Sequence, residues 1–352
     1  MTDNPDNADN PDAPDARDAP GAAPAEPPHT HAARTAADEA RSALHAVRTE
    51  VARVVVGQDG VLTGLVVALL AGGHVLLEGV PGTAKTLTAK AVAAALQLDF
   101  RRVQFTPDLM PADITGQMVY ESTTGSFRFR EGPVFTHLLL ADEINRTPPK
   151  AQAALLESME ERRVSVDGVG RPLPNPFMVI ATQNPIEYEG TYPLSEAQLD
   201  RFLLKLHVGY PTEEQERGVL ALHDRGVNVH DVRGSGVRAV ASAQHLAAGQ
   251  AAAAAVACEA PVQAYIVALA RATRDSASVS LGVSPRGAAM LLHAAKAWAW
   301  LQGKAFVTPD DVKAMAKPTW RHRVGLRPES ELDGVTSDGV LDSVLATVPV
   351  PR

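Results

Sequence analysis

Short apolar runs alternate with stretches of helical periodicity between residues 38 and 210 of this chain. The runs predict five strands, at 74–79, 100–106, 136–143, 177–185 and 202–208. The helical stretches, in which apolar residues recur every three or four positions, are 38–54, 86–98 and 149–163. Strands that alternate with helices predict an α/β domain built on a parallel sheet. Ligands bind at the carboxyl ends of the strands in such sheets, so polar residues at those ends are candidates for the functional site.

The strand pattern largely stops after residue 210, and the remaining segments have the periodicity of helices. The predicted helices lie at 261–274, 284–303 and 308–318. Thr308 and Asp311 form a start like a capping box for the last of these, with Pro309 at the first helical position. We therefore predict an α/β core at 38–210 and a second, all-helical domain at 211–352.

The amino-terminal segment, residues 1–37, has a different composition from the rest of the chain. It is acidic and rich in proline, and it cannot bury enough apolar surface to offset the entropy of ordering it, which predicts disorder. No run approaches the roughly 20 consecutive apolar residues of a membrane-spanning helix, and the acidic start does not resemble a signal peptide. The single cysteine, Cys258, fits a reducing compartment. These features together indicate a cytoplasmic protein.

The strand at 74–79 runs into the sequence GVPGTAKT, residues 79–86, which is close to a phosphate-binding loop. Backbone N–H groups of such a loop surround the phosphates at the positive end of the following helix. Lys85 would reach the phosphates, and the Thr86 hydroxyl would bind Mg²⁺. Ala84 stands where the general pattern has glycine, and alanine is tolerable there if its φ is negative, since only a positive φ demands glycine. The predicted nucleotide-binding residues of the loop are Gly79, Val80, Pro81, Gly82, Thr83, Ala84, Lys85, Thr86 and Leu87.

A second candidate site follows the apolar strand at 136–143, which ends in the acids Asp142 and Glu143. A carboxylate at this position can hold Mg²⁺ through its water shell. The adjacent Glu143 can orient and deprotonate an attacking water. After a glycine–lysine loop, such a pair of acids favours an ATPase over an ordinary strand end with solvated charges.

Three further polar residues could complete this chemistry. Asn184 lies at the end of the strand 177–185, where it could position a water against the γ-phosphate, although asparagine before proline is also common in turns. Arg201 precedes the strand 202–208, and Arg286 begins a helix of the second domain. Arginine suits phosphate because of its fork of donors, but without the preceding motifs a surface salt bridge is the preferred interpretation.

The motifs GVPGTAKT, LLLADEINR, ATQNP, EGTYPLSEAQLDRF and SPRG occur in this order along the chain. Together they resemble the MoxR family of AAA+ ATPases, over roughly residues 38–352. The alanine before Lys85 is similar to the family's own form of the loop, G-x-P-G-x-A-K-T. The resemblance therefore implies an AAA+ P-loop NTPase core with a helical lid, and a loop that binds ATP.

The same resemblance implies roles for individual residues. Val56, Gly57 and Gln58 match the segment that lines the adenine pocket in AAA+ proteins. Asn184 matches sensor 1 and Arg286 matches sensor 2. Arg201 looks like the arginine finger, and Arg146 resembles an additional interface arginine.

Two segments resemble elements that point at the central pore of the ring in this clade. Residues 104–135 are similar to the insertion in its second helix, and residues 162–177 are similar to the hairpin before sensor 1. By composition alone they are two hairpin-like segments with glycine and proline turns. The resemblance implies a homo-oligomeric ring, expected to be a hexamer, that uses ATP and Mg²⁺.

Proteins of this type are thought to act on partners with von Willebrand factor A domains and to help protein complexes mature. This chain lacks the D-x-S-x-S pattern of those domains, so such a partner would be another chain. A metal-chelatase motor subunit and a nucleic-acid motor of the same clade remain alternatives. The net charge of −8 argues against the nucleic-acid motor. A P-loop kinase or GTPase is disfavoured, because the chain has no guanine-reading N-K-x-D element.

Overall fold

The structure is a computed structural model that describes residues 28–184, 190–226, 231–232 and 234–351, with residues 28–33 described as backbone only. The strands are β1 (Val75–Gly79), β2 (Phe100–Gln104), β3 (Gly116–Glu121), β4 (Ser126–Glu131), β5 (Leu138–Asp142), β6 (Arg163–Val166), β7 (Val169–Pro172), β8 (Met178–Gln183), β9 (Leu204–Val208), β10 (Val279–Leu281) and β11 (Gly325–Leu326). The α-helices are α1 (Pro28–Val51), α2 (Asp59–Leu70), α3 (Lys85–Ala95), α4 (Pro111–Thr115), α5 (Pro149–Glu161), α6 (Glu196–Leu199), α7 (Glu213–Asp224), α8 (Ala243–Ala255), α9 (Ala260–Asp275), α10 (Pro285–Leu301), α11 (Pro309–Trp320), α12 (Pro328–Leu332) and α13 (Ser337–Thr347). A 3₁₀ turn covers Ile144–Arg146.

The predicted parallel sheet is confirmed. Its strand order is β2-β5-β8-β1-β9, and every neighbouring pair runs parallel. The inner strand β5 is buried along its whole length, which explains why it reads as a continuous apolar run. All five carboxyl ends therefore meet along one edge of the sheet.

Two helices differ from what the sequence predicted. Helix α1 begins at Pro28, within the segment predicted as disordered, because the alanine-rich stretch after Pro28 has high helix propensity. The rest of that segment, residues 1–27, lies outside the described residues. Helix α2 was not predicted, since nine of its residues are buried and its sequence lacks a polar face with helical periodicity.

The carboxyl-terminal helices are confirmed, with the short antiparallel pair β10–β11 added to them. The predicted start of α11 is observed: Thr308 Oγ1 accepts from the Asp311 amide, and Asp311 Oδ2 accepts from the Thr308 amide at 2.8 Å. Helices α8 and α10 pack against α1 and α2 in one continuous apolar cluster, which includes Leu44, Leu65, Leu246 and Trp300. The helical region is therefore fixed to the α/β core through α1 and α2.

Both hairpin-like segments form antiparallel hairpins. Strands β3 and β4 pair within the 104–135 segment, and β6 and β7 pair within 162–177. At the tip of the first hairpin, the rings of Tyr120 and Phe127 meet edge to face and are exposed to solvent. No helix in the described part of the chain is long and apolar enough to cross a membrane.

Candidate active site

A cleft of about 800 Å³ lies along the carboxyl edge of the sheet. One wall is the loop after β1 with the start of α3, and another is formed by the ends of β5 and β8. Helix α7 and the segment after α1 close the remaining side. The predicted residues that line the cleft are Val56, Gln58, Pro81, Gly82, Thr83, Ala84, Lys85, Thr86, Leu87, Asp142, Glu143 and Asn184.

The loop after β1 has the shape of an anion cradle. Gly82 has a φ of +81°, and the space where its side chain would be is open. Gly79 is tightly enclosed, since a Cβ atom there would lie 2.3 Å from the Val208 carbonyl oxygen. Gly79 therefore packs against β9 behind the loop, while Pro81 to Leu87 line the cleft.

The condition of a negative φ at Ala84 is not met. Its φ is +61°, in the left-handed region, immediately before the first residue of α3. Alanine reaches this region at a cost of roughly 1–2 kcal/mol, so the turn into α3 keeps a strained residue where glycine would relax. Such strain persists only where the surrounding structure enforces it, as in a loop shaped around a ligand.

Lys85 is held by the loop itself. Its ammonium group donates to the carbonyl oxygens of Gly79 and Val80, both at 2.7 Å. Burial lowers the pKa of Lys85, and the charges of Asp142 and Glu143 oppose that shift. The ammonium group therefore lies beside the cleft. A phosphate bound there would replace the two backbone carbonyls as its hydrogen-bond partner.

The carboxylate of Asp142 is nearly buried at the end of β5, with 8% of the residue exposed. Its Oδ1 accepts a hydrogen bond from the Thr182 hydroxyl at 2.6 Å. Its Oδ2 accepts two from Arg102, from Nε at 3.0 Å and from Nη2 at 2.7 Å. Both oxygens therefore point at protein donors, one on each neighbouring strand.

Glu143 turns away from the strand with a φ of +58°. Its amide donates to the Thr182 hydroxyl at 2.8 Å, so this hydroxyl holds both acids. The Glu143 Oε2 accepts from Gln104 at 2.6 Å and from Arg146 at 2.9 Å. The carboxylate is thus oriented by two side chains and stays partly exposed at the cleft.

The predicted adenine segment lies beside the cleft. Val56 and Gln58 line it, and Gly57 stands next to the α7 residue Gln215, where a Cβ atom would lie 2.7 Å from the Gln215 Oε1. Across from them, Leu220 on α7 lines the cleft with 69% of the residue exposed. An apolar side chain left this open next to valines suits the face of a base.

Arg201 and Arg286 occupy a different place. Among the described residues, the lining of the cleft includes neither of them. Both meet Glu160 at the end of α5: Arg286 Nη2 lies 2.7 Å from its Oε2, and Arg201 Nε lies 3.9 Å from the same atom. Asp200 pairs with Arg286 at 3.6 Å and with Arg323 at 2.7 Å. The hydrogen bond to Glu160 raises the pKa of Arg286, so the guanidinium of Arg286 stays protonated.

The site also includes Arg102, Gln104 and Thr182, which no sequence motif indicated. The first two lie on one face of β2, and β2 pairs with β5, so that Gln104 stands opposite Asp142. This pairing joins strands that are distant in sequence. Without the strand order, polar residues at alternate positions of β2 gave no signal beyond a solvated edge strand.

Comparisons with known proteins agree with this fold. A sequence model of the "ATPase family associated with various cellular activities (AAA)" matches residues 74–204, and one of the "AAA lid domain" matches residues 271–344. A crystal structure of a candidate ATPase from Cytophaga hutchinsonii superposes with a TM-score of 0.85 at 37% identity, over 92% of this chain and 99% of that one. The fold is that of an AAA-type ATPase.

Named relatives define the family. "Chaperone MoxR1" of Mycobacterium tuberculosis is 42% identical over 86% of this chain and 81% of the relative. "Protein MoxR" of Paracoccus denitrificans is 34% identical over 85% of this chain and 93% of the relative. "Uncharacterized protein YeaC" of Bacillus subtilis is 45% identical over 85% of this chain and 92% of the relative. The chain belongs to the MoxR family of AAA+ ATPases.

Replacing Thr182 tests how the two acids are held. Thr182→Val keeps the shape of the side chain but leaves the Asp142 carboxylate and the Glu143 amide without their shared partner. We expect the free energy of unfolding to fall by about 1–3 kcal/mol, measured by urea denaturation. Thr182→Ser keeps the hydroxyl and is the control. Equal stability of the valine and serine variants would contradict this account of the hydroxyl.

Proposed function

We propose that this protein hydrolyses ATP to ADP and phosphate within a homo-oligomeric ring. The observation that carries the proposal is that Lys85, Asp142 and Glu143 line one cleft at the carboxyl edge of the sheet. A loop with an ammonium group opposite two acids fits a triphosphate better than an uncharged ligand.

The site also fits Mg²⁺. Asp142 and Thr86 line the same cleft and offer a carboxylate and a hydroxyl. Magnesium is commonly bound by one or two protein oxygens together with waters and phosphate oxygens. The described residues hold no cluster of three or more acidic, histidine or cysteine side chains, which suits such a site rather than an all-protein cage. When bound there, the ion would neutralise charge that develops on the phosphates.

Glu143 is the proposed base. Its carboxylate is exposed to the cleft and held by Gln104 and Arg146, so it can take a proton from a water at the terminal phosphate. Asn184 ends the neighbouring strand and lines the same cleft, which supports its role in placing that water. The water's oxygen would bond to phosphorus as the bond to ADP breaks.

Arg201 and Arg286 support the ring. They lie together at Glu160 and outside the lining of their own cleft, while their charges suit a phosphate. We assign Arg201 as an arginine finger for the cleft of the neighbouring subunit. Arg286 is assigned as sensor 2, acting from the same face. In such a ring, each cleft would receive Arg201 and Arg286 from the neighbouring subunit. We propose that the ring is a hexamer.

The ring would remodel partner proteins during the assembly of protein complexes. A relative that carries the name chaperone supports this role. The family resemblance points to partners with von Willebrand factor A domains, and we place the two hairpins toward the central pore. The exposed pair Tyr120 and Phe127 gives the first hairpin an apolar tip suited to contact a client.

Glu143→Gln separates binding from hydrolysis. The amide keeps the size of the side chain but cannot accept the proton, so ATP should bind normally while turnover falls by about 10²–10⁴-fold. Binding is measured by calorimetry, and turnover by phosphate release. Glu157→Gln, on the exposed face of α5, is the matched control and should hydrolyse ATP normally. Wild-type turnover in Glu143→Gln would remove this residue as the base.

Arg201→Ala tests whether the arginine acts on a neighbouring subunit. The variant should bind ATP but hydrolyse it slowly, by up to roughly 10³–10⁵-fold as for other arginine fingers. Mixing it with Lys85→Ala should restore part of the activity, because some interfaces then pair an intact loop with an intact Arg201.

Arg217→Ala serves as the control for the loss of an exposed arginine. If mixed oligomers form and phosphate release does not recover, Arg201 does not act between subunits. Near-normal turnover of Arg201→Ala alone would instead identify a surface arginine in a salt bridge.

A further inference from the structure

Arg102 binds the carboxylate that the proposed magnesium site needs. Its Nε and Nη2 lie 3.0 and 2.7 Å from Asp142 Oδ2, a contact of two nitrogens with one oxygen. The other oxygen, Oδ1, is taken by the Thr182 hydroxyl at 2.6 Å. The protein alone therefore satisfies both oxygens of Asp142.

The two partners of Asp142 differ in their freedom to move. Thr182 is buried on β8, with 1% of the residue exposed, and is also tied to the Glu143 amide. The Arg102 side chain is 45% exposed and lines the cleft, whereas the Asp142 side chain is 11% exposed. The Arg102 side chain can move further into the cleft with little change in its exposure to solvent. An Asp142 carboxylate without a partner would carry a large desolvation penalty, because it is nearly buried. Oδ2 is therefore the oxygen that can change its partner.

We propose that Arg102 is a resident cation of the metal site, which pairs with Asp142 while Mg²⁺ is absent and competes with Mg²⁺ for its carboxylate. The inference rests on the proposed function, since it concerns the same cleft. Arg102 keeps the nearly buried charge compensated before nucleotide arrives. When Mg²⁺ binds with the nucleotide, the guanidinium would leave Oδ2 to the ion or to a water of its shell.

Displacement would also reach Glu143. Arg102 Nη2 donates to Gln104 Oε1 at 2.6 Å, and Gln104 Nε2 donates to Glu143 Oε2 at 2.6 Å. The Arg102 guanidinium thus fixes the amide that orients Glu143. Release of Arg102 from this position removes one hydrogen bond from the Gln104 amide. Occupancy of the metal site would therefore affect the orientation of Glu143 through two hydrogen bonds, from Arg102 to Gln104 and from Gln104 to Glu143.

The neighbouring Arg101 offers a matched control. It lies on the opposite face of β2 and donates to the Gly132 carbonyl oxygen at 3.3 Å, away from the acids. Arg101→Gln removes the same charge from the same strand without touching Asp142. Any effect of net charge on Mg²⁺ or nucleotide would therefore appear in both variants.

The test is the affinity for ADP, measured by calorimetry on the full chain over a series of free Mg²⁺ concentrations. The quantity compared is the Mg²⁺ concentration at which the tightening of ADP binding is half complete. With its competitor removed, Arg102→Gln should reach this midpoint at about three- to tenfold less Mg²⁺ than the wild type. Arg101→Gln should match the wild type. Arg102→Lys, with one ammonium group, should shift less in the same direction and replaces Arg102→Gln if that variant does not fold.

The outcomes separate the two claims. A midpoint that is unchanged in Arg102→Gln, or that shifts equally in Arg101→Gln, overturns the competition. A midpoint that rises shows that Arg102 helps to hold the metal, which also overturns it. In each of these cases the wild type still binds ADP, and the proposed function stands. A wild type that binds no ADP with or without Mg²⁺ refutes the proposed function itself.

Discussion

The parallel pairing of β5 with its neighbours is the constraint on which the site depends. β5 lies between β2 and β8, and in this register Gln104 stands opposite Asp142 while Ala141 stands opposite Ala181. Side chains from the two flanking strands, Arg102 and Gln104 on β2 and Thr182 on β8, thus reach the two acids from both sides. β1 pairs with β8 in turn, which brings the phosphate-binding loop to the same edge. A slip of one residue in any of these pairs would turn the polar partners to the opposite face.

Charge compensation explains how the cleft tolerates its own groups. Asp142 and Glu143 are consecutive acids that line the same cleft, where like charges oppose one another. Arg102 and Arg146 each donate to one of them, and Lys85 lies close enough for both acids to affect its pKa. A phosphate can replace the two carbonyl partners of Lys85, and a metal ion can replace Arg102 as the partner of Asp142. This arrangement prepares the cleft for a charged ligand without leaving a buried charge unpaired.

The sequence predicted those parts of the site that follow a strand directly. GVPGTAKT and the pair Asp142–Glu143 were recognisable because each stands at the end of an apolar run. Arg102 and Thr182 were not, since their proximity to the acids is created by strand order rather than by sequence. The condition of a negative φ at Ala84 is not met, because a loop shaped for phosphate imposes the left-handed region on an alanine, at a cost in strain. Helix α2 was missed because burial on most sides erases the periodicity that marks an amphipathic helix.

The account rests most directly on the claim that Lys85 receives the phosphates of ATP. The decisive measurement is the affinity for ATP of Lys85→Ala beside that of Lys313→Ala, which removes the same charge from α11, outside the lining of the cleft. The account predicts that the first variant loses at least about tenfold in affinity, as expected for a charged hydrogen bond, while the second binds as the wild type does. Equal affinity of Lys85→Ala and the wild type would contradict it.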